Sequence, residues 1–165
     1  MKTKRMVFKE VVFYGMLFNL SGDILLRRLY GSDDKIFPGG IVETKDIAGY
    51  DDETWIRRFF GRAFEEQAGI PYEEIIEPKI QPMPAHYIVY GNGFSVLYAG
   101  IIVGKTDFLS TMAHFVNLDD FIRMERLGVI NRPTKIFGLR AFASRDCPNK
   151  KYRKIAGPVL KKEHK

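Results

Sequence analysis

Between Ile36 and Ile70 the chain sets a tight glycine turn, IFPGGIVE, ahead of an acid-bearing amphipathic run, DDETWIRRFFGRAFEEQAGI, and this pairing constrains the fold more than any other feature. Ile56, Phe59, Phe60, Ala63 and Phe64 recur at three- and four-residue spacing, which predicts a helix with one buried stripe. Asp51 or Asp52 suits the N-cap, and Gly69 before Ile70 and Pro71 is a stop signal. The polar face then carries Arg58, Arg62, Glu65 and Glu66. An aromatic stripe at this spacing is most often plain core. Acids on a helix beside a glycine turn, where backbone can approach a ligand closely, are also how a protein builds a divalent-metal site for phosphate chemistry.

Before this stretch, residues 7–19 form a run too continuously apolar for simple alternation, so a strand buried on both faces is expected. Ser21-Gly22-Asp23 turns it into a partner strand, ILLRR. Arg27 and Arg28 point to opposite faces of that strand, so only one can meet a phosphate. Thr44 to Tyr50 reads as a loop, and PYEEIIEPKIQPMP as a wrapping loop with a short strand. Ala85 to Tyr90, the turn Gly91-Asn92-Gly93, and Phe94 to Val103 make a hairpin. Phe115 to Phe121 runs from a strand into an acid-capped helix, with Asp119 and Asp120 as cap or as late-loop acids beside Glu125. Pro133 opens a last helix that reaches about Ala143.

One domain is the natural reading of 165 residues, followed by a basic tail: residues 1–144, then 145–165. All the net charge of +6 lies in that tail, which holds eight Lys/Arg against two acids, while residues 1–144 carry 18 of each sign. Its NKKYRK run interleaves tyrosine with cations and can contact RNA, although a solvated terminus has the same composition. A lone cysteine, Cys147, excludes an internal disulfide and fits a reducing, cytoplasmic compartment. No segment is long enough to cross a membrane, and the apolar run near the N-terminus reads as a strand, not a signal peptide. Gly104-Lys105-Thr106 lacks the earlier glycine of a P-loop, and the three histidines lack zinc-binding spacing.

The turn and helix resemble a degraded Nudix box, a motif of Gly, five residues, Glu, seven residues, then Arg-Glu-apolar-any-Glu-Glu-any-Gly-apolar. With Arg62 as the motif arginine, Phe64, Gly69 and Ile70 fall in place, and the acidic positions become Ala63, Glu66 and Gln67. With Glu65-Glu66 as the acidic pair, the arginine position becomes Gly61 and Glu53 takes the upstream spacing. The first register keeps the apolar face and the stop, and is preferred. Asp46 stands where the first box glutamate belongs, yet far from Arg62 in sequence.

The resemblance implies an α/β fold, a Nudix-type α/β/α sandwich around a mixed sheet. It also implies a hydrolase that cleaves a nucleoside diphosphate linked to another group, with Mg²⁺ or Mn²⁺ activating water. Glu66, Glu65 and Arg62 are then the catalytic candidates. Glu66, Glu65, Glu53, Gln67 and a Gly40 carbonyl are the metal candidates, with Glu43 in reserve. Arg28, Phe37, Gly39 and Tyr98 are candidates for the substrate, and Phe94 is a further stacking surface. The alternative is a Nudix-type domain that binds a nucleotide or RNA without cleaving it. Pairing as a homodimer is left open.

Overall fold

The computed structural model describes residues 10–71, 73, 75–76, 88–90, 93–102 and 112–163. Eight described strands are β1 (Glu10–Phe18), β2 (Ile24–Arg28), β3 (Lys35–Ile36), β4 (Gly39–Ile41), β5 (Ile75–Ile76), β6 (Ile88–Tyr90), β7 (Gly93–Ile102) and β8 (Ala113–Val116). Five described helices accompany them: α1 (Thr44–Ile47), α2 (Asp52–Ala68), α3 (Leu118–Arg126), α4 (Arg132–Ala143) and α5 (Lys150–Glu163). The hairpin turn at Gly91-Asn92 and most of the acidic loop after α2 lie outside the described residues.

Strand β1 is the spine of the sheet. It runs parallel to β7 along its whole length, from Glu10 opposite Gly93 to Phe18 opposite Ile101. Every other described pairing is antiparallel, which makes the sheet mixed. The other edge of β1 is shared. Its end meets β2 at Phe18 opposite Ile24, and its middle meets β4 at Tyr14 opposite Gly39.

Alternation along β1 sends side chains into two separate apolar layers. Phe13 and Leu17 join Leu25 and the α2 stripe of Trp55, Ile56, Phe59, Phe60 and Phe64. Met16 and Phe18 join Phe37, Phe121, Phe137 and Phe142 beneath the later helices. Burial on both faces is why this strand reads as a continuous apolar run. Helix α2 starts where Asp51 accepts the Thr54 amide at 2.7 Å, and stops at Gly69, which is left-handed at φ 72°. A Cβ at Gly15 would sit 2.2 Å from Phe64 Cζ, so glycine lets α2 settle directly onto β1.

Two segments differ from their expected form. Residues 44–47 form the short helix α1 inside what reads as loop, with the Glu43 amide donating to Asp46 Oδ2 at 2.8 Å. The basic segment after Arg145 carries α5, which packs into the same core as α3 and α4. Ala156 is fully buried, and the Tyr152 ring meets Phe142 at 5.6 Å. The Tyr152 hydroxyl donates to Asp23 at 2.8 Å, and burial followed by that carboxylate pushes its pKa up to about 12. Asn149 accepts the Lys151 and Tyr152 amides and donates to the Ser21 carbonyl, fastening the start of α5 to the β1–β2 turn. At its far end Lys135 of α4, only 10 % exposed, binds Glu125 of α3 at 2.8 Å and Glu163 of α5 at 2.9 Å. Burial alone would lower the pKa of this ammonium, but the two carboxylates outweigh it and hold the value above normal.

Across β2, Lys35 Nζ lies 2.8 Å from His114 Nε2. Burial first and Lys35 second push the His114 pKa below its ordinary value. The unfolded chain therefore takes up this proton before the folded one, and stability declines as pH falls through and below the ordinary histidine range. Urea unfolding at pH 7.5 and pH 5.5 is expected to show a larger loss for the wild type than for His114→Gln. Replacing Lys135 with Met keeps the apolar stem but strands two partly buried carboxylates. We expect a loss of about 1–3 kcal/mol in the same assay, below the fully buried case because both glutamates keep some solvent.

Candidate active site around the glycine turn and helix α2

The site begins with a close approach of backbone to backbone. At Gly39, φ is 143° and a Cβ would lie 2.0 Å from the Phe13 carbonyl oxygen, so only glycine lets β4 lie this near β1. With β4 seated, Gln67 on α2 reaches across. Its Oε1 accepts the Gly39 amide at 2.9 Å, and its Nε2 donates to the Gly39 carbonyl at 2.7 Å. One neutral side chain thus satisfies both backbone groups of the turn residue.

This fork decides what the turn can offer a cation. The Gly39 carbonyl already accepts a hydrogen bond, and both ends of Gln67 are engaged. Ala63 is 6 % exposed and brings no oxygen. Glu65 and Glu66 are exposed on α2, and as adjacent residues on a helix they diverge by roughly 100°. Among the described residues, no three Asp, Glu, His or Cys side chains converge as a metal-holding group. Mg²⁺ asks for a cluster of hard oxygens, and the described side chains here do not form one.

Arg62 has a different anchor. Its Nη2 donates to Asp46 Oδ1 at 2.8 Å, and the Asp46 side chain is 6 % exposed. Burial by itself raises the pKa of that carboxyl, but the Glu43 amide and the Arg62 guanidinium outweigh it and hold it below normal. Helix α1 therefore brings together two residues that lie far apart in the sequence.

The remaining candidates scatter. Arg28 binds Asp33 at 2.8 Å and the Ser32 carbonyl at 2.9 Å, in the β2–β3 turn. Arg27 is the half-buried member of the pair, and its Nε has no hydrogen-bond partner among the described residues. Burial lowers its pKa, with nearby Tyr14 opposing. Phe37 is 1 % exposed and belongs to the core beneath α4, so it offers no open stacking face. Gly40 pairs with Phe13 in the sheet. Tyr98 pairs with Gly15 by backbone, and Phe94 with Val11. The side chains of Tyr98, Phe94 and Glu53 lie outside the described residues. Asn117, not an aspartate, caps α3 by accepting the Asp120 amide at 2.8 Å. Asp120 then holds Arg123, and Glu125 holds Lys135. Sequence reasoning missed the Gln67 fork and the Asp46 anchor, whose only local signal is an acid three residues after Glu43.

No protein-family model matches this sequence, and no curated protein matches it either. Solved structures do match. A hydrolase of the NUDIX family from Clostridium perfringens superposes with a TM-score of 0.57 at 13% identity, over 80% of this chain and 94% of that one. The MutT protein from Methanosarcina mazei Go1 gives 0.54 at 19% identity, over 80% and 91%. The Ap4A hydrolase of C. elegans gives 0.53 at 16% identity, over 82% and 98%. With the glycine turn clasped between β1 and α2, the chain adopts the Nudix fold.

Proposed function

We propose that this chain is a Nudix-fold module that binds a phosphate-bearing ligand, a nucleotide or RNA, without metal-dependent hydrolysis of it. The observation that carries this reading is the Gln67 fork on Gly39. A carboxylate at that position could not donate to the Gly39 carbonyl, and the two oxygens would repel unless a cation lay between them. The amide supplies the missing N–H itself and makes the cation unnecessary. The competing reading is hydrolysis of a nucleoside diphosphate linked to another group, with Mg²⁺ or Mn²⁺. It draws on the exposed Glu65 and Glu66 and on the likeness to known hydrolases.

Thermal and urea unfolding separate the two. Millimolar Mg²⁺ or Mn²⁺ is expected to leave wild-type stability unchanged, with or without ADP-ribose. Gln67→Glu is expected to lose about 1–3 kcal/mol in metal-free buffer, because a buried acceptor loses its donor. Metal-dependent stabilisation of the wild type, or turnover of ADP-ribose on adding metal, would overturn the binding reading in favour of the hydrolase.

RNA contact is assigned to α5. Lys151, Lys154, Lys161 and Lys162 are exposed along one face, with Ile155 and Pro158 between them. That stripe is about 17 Å long at the helical rise. Truncating the segment is a poor test, since it would remove Tyr152 and Ala156 from the core. Changing the four exposed lysines together to glutamine is expected to keep the fold. It is expected to weaken binding of a single-stranded RNA and to reduce the slope of log affinity against log salt by about 3. An unchanged slope would remove α5 from the interface.

A further inference from the structure

The segment that lengthens the path from the glycine turn to α2 encloses something of its own. Helix α1 and the outer face of α2 border a cavity of about 390 Å³ lined by Lys45, Asp46, Arg58, Phe59 and Arg62. Three of these five side chains are cations, and the single acid is already committed. Asp46 Oδ2 takes the Glu43 amide at 2.8 Å and Oδ1 takes Arg62 Nη2 at 2.8 Å. Its charge is thereby compensated by fixed partners and does not bar an anion from the space.

The cations, in contrast, keep donors to spare. Arg62 is 49 % exposed and gives Asp46 one of its five N–H groups at a single nitrogen, Nη2. Arg58 is exposed, and its Cζ lies over the Tyr50 ring at 4.2 Å from the centroid, a cation–π contact that steadies the side chain beside the cavity. Lys45 meets Glu43 at 2.7 Å, but the two side chains are 72 % and 58 % exposed, and such a pair exchanges readily for a better anion. Phe59, buried beneath, gives the cavity an apolar wall that strengthens charge interactions above it. Like charges gathered around one cavity repel each other until an anion enters.

We propose that this cavity is a phosphate-binding site, with Arg58 and Arg62 donating to non-bridging oxygens and Lys45 leaving Glu43 to complete the contact. Two planar guanidinium groups and a flexible ammonium match a phosphate better than a single carboxylate. The phosphate can come from a free nucleotide or from an RNA backbone. The choice between those two sources rests on the proposed binding function, but the anion site itself does not.

The test uses the full chain and three probes: inorganic pyrophosphate, ADP and a short single-stranded RNA, each followed by calorimetry. Arg58→Gln and Lys45→Gln are made singly and together, leaving Arg62 to hold α1. Each single change is expected to weaken pyrophosphate binding about tenfold, and the pair to abolish it, with unchanged thermal unfolding. A parallel loss for ADP alone assigns the site to nucleotides, and one that extends to RNA assigns it to backbone phosphates. Absence of pyrophosphate binding in the wild type, or full binding in the folded double variant, overturns the proposal. Wild-type binding of ADP or RNA that both variants retain would sink this site while leaving the broader function intact. Pyrophosphate binding that the variants lose, with no binding of ADP or RNA by any form, would do the reverse.

Discussion

A two-bond clasp between one side chain and one backbone unit holds the centre of this structure. Gln67 can grip both polar groups of Gly39 only because residue 39 has no Cβ to strike the Phe13 carbonyl. That missing atom lets β4 lie against β1. The clasp then ties β4 to α2, and Gly15 lets α2 rest on β1 from the other direction. Strand, turn and helix thus close a triangle in which each contact presumes the other two. A neutral amide performs the closure without bringing a charge into a partly buried place. A carboxylate bridged to the Gly39 carbonyl by a cation would do the same job at the expense of desolvating ions.

The connection between β4 and α2 shows how a long path can still be well determined. Asp46 receives one hydrogen bond from its own turn and one from Arg62, so α1 is fixed at two points in spite of its four residues. Extra residues in a surface connection cost little chain entropy, and what matters is whether their ends are tied. Here they are tied to the next helix, α2.

Much of the fold was legible because it rests on periodicity. The α2 stripe, its stop at Gly69, the doubly buried β1 and the proline-led α4 all come from spacing that local sequence preserves. Helix α5 hid because lysines surround Tyr152, Ala156, Val159 and Leu160, its inward positions, and Pro158 imitates a breaker. Helix α1 is too short to display a period. The Gln67 fork could not be read from the chain at all. In a motif, glutamine at that position looks like a ligand lost, and its partner stands 28 residues away. The arginines of ILLRR were legible as a pair on opposite faces, but which one is spent on the next turn depends on where Asp33 falls.

The two ends of α5 are fastened, one to the β1–β2 turn and one to Lys135, so its lysines move with the whole molecule. Residues 1–144 balance 18 cations against 18 anions, and the net charge of +6 belongs to residues 145–165. A charge distribution this lopsided carries an electric dipole, on which a polyanion exerts a torque before contact. Any polyanion nearby would draw the α5 side toward itself, most strongly at low ionic strength. Within a Debye length of about 8 Å at physiological salt, that guidance acts only over the last step of approach.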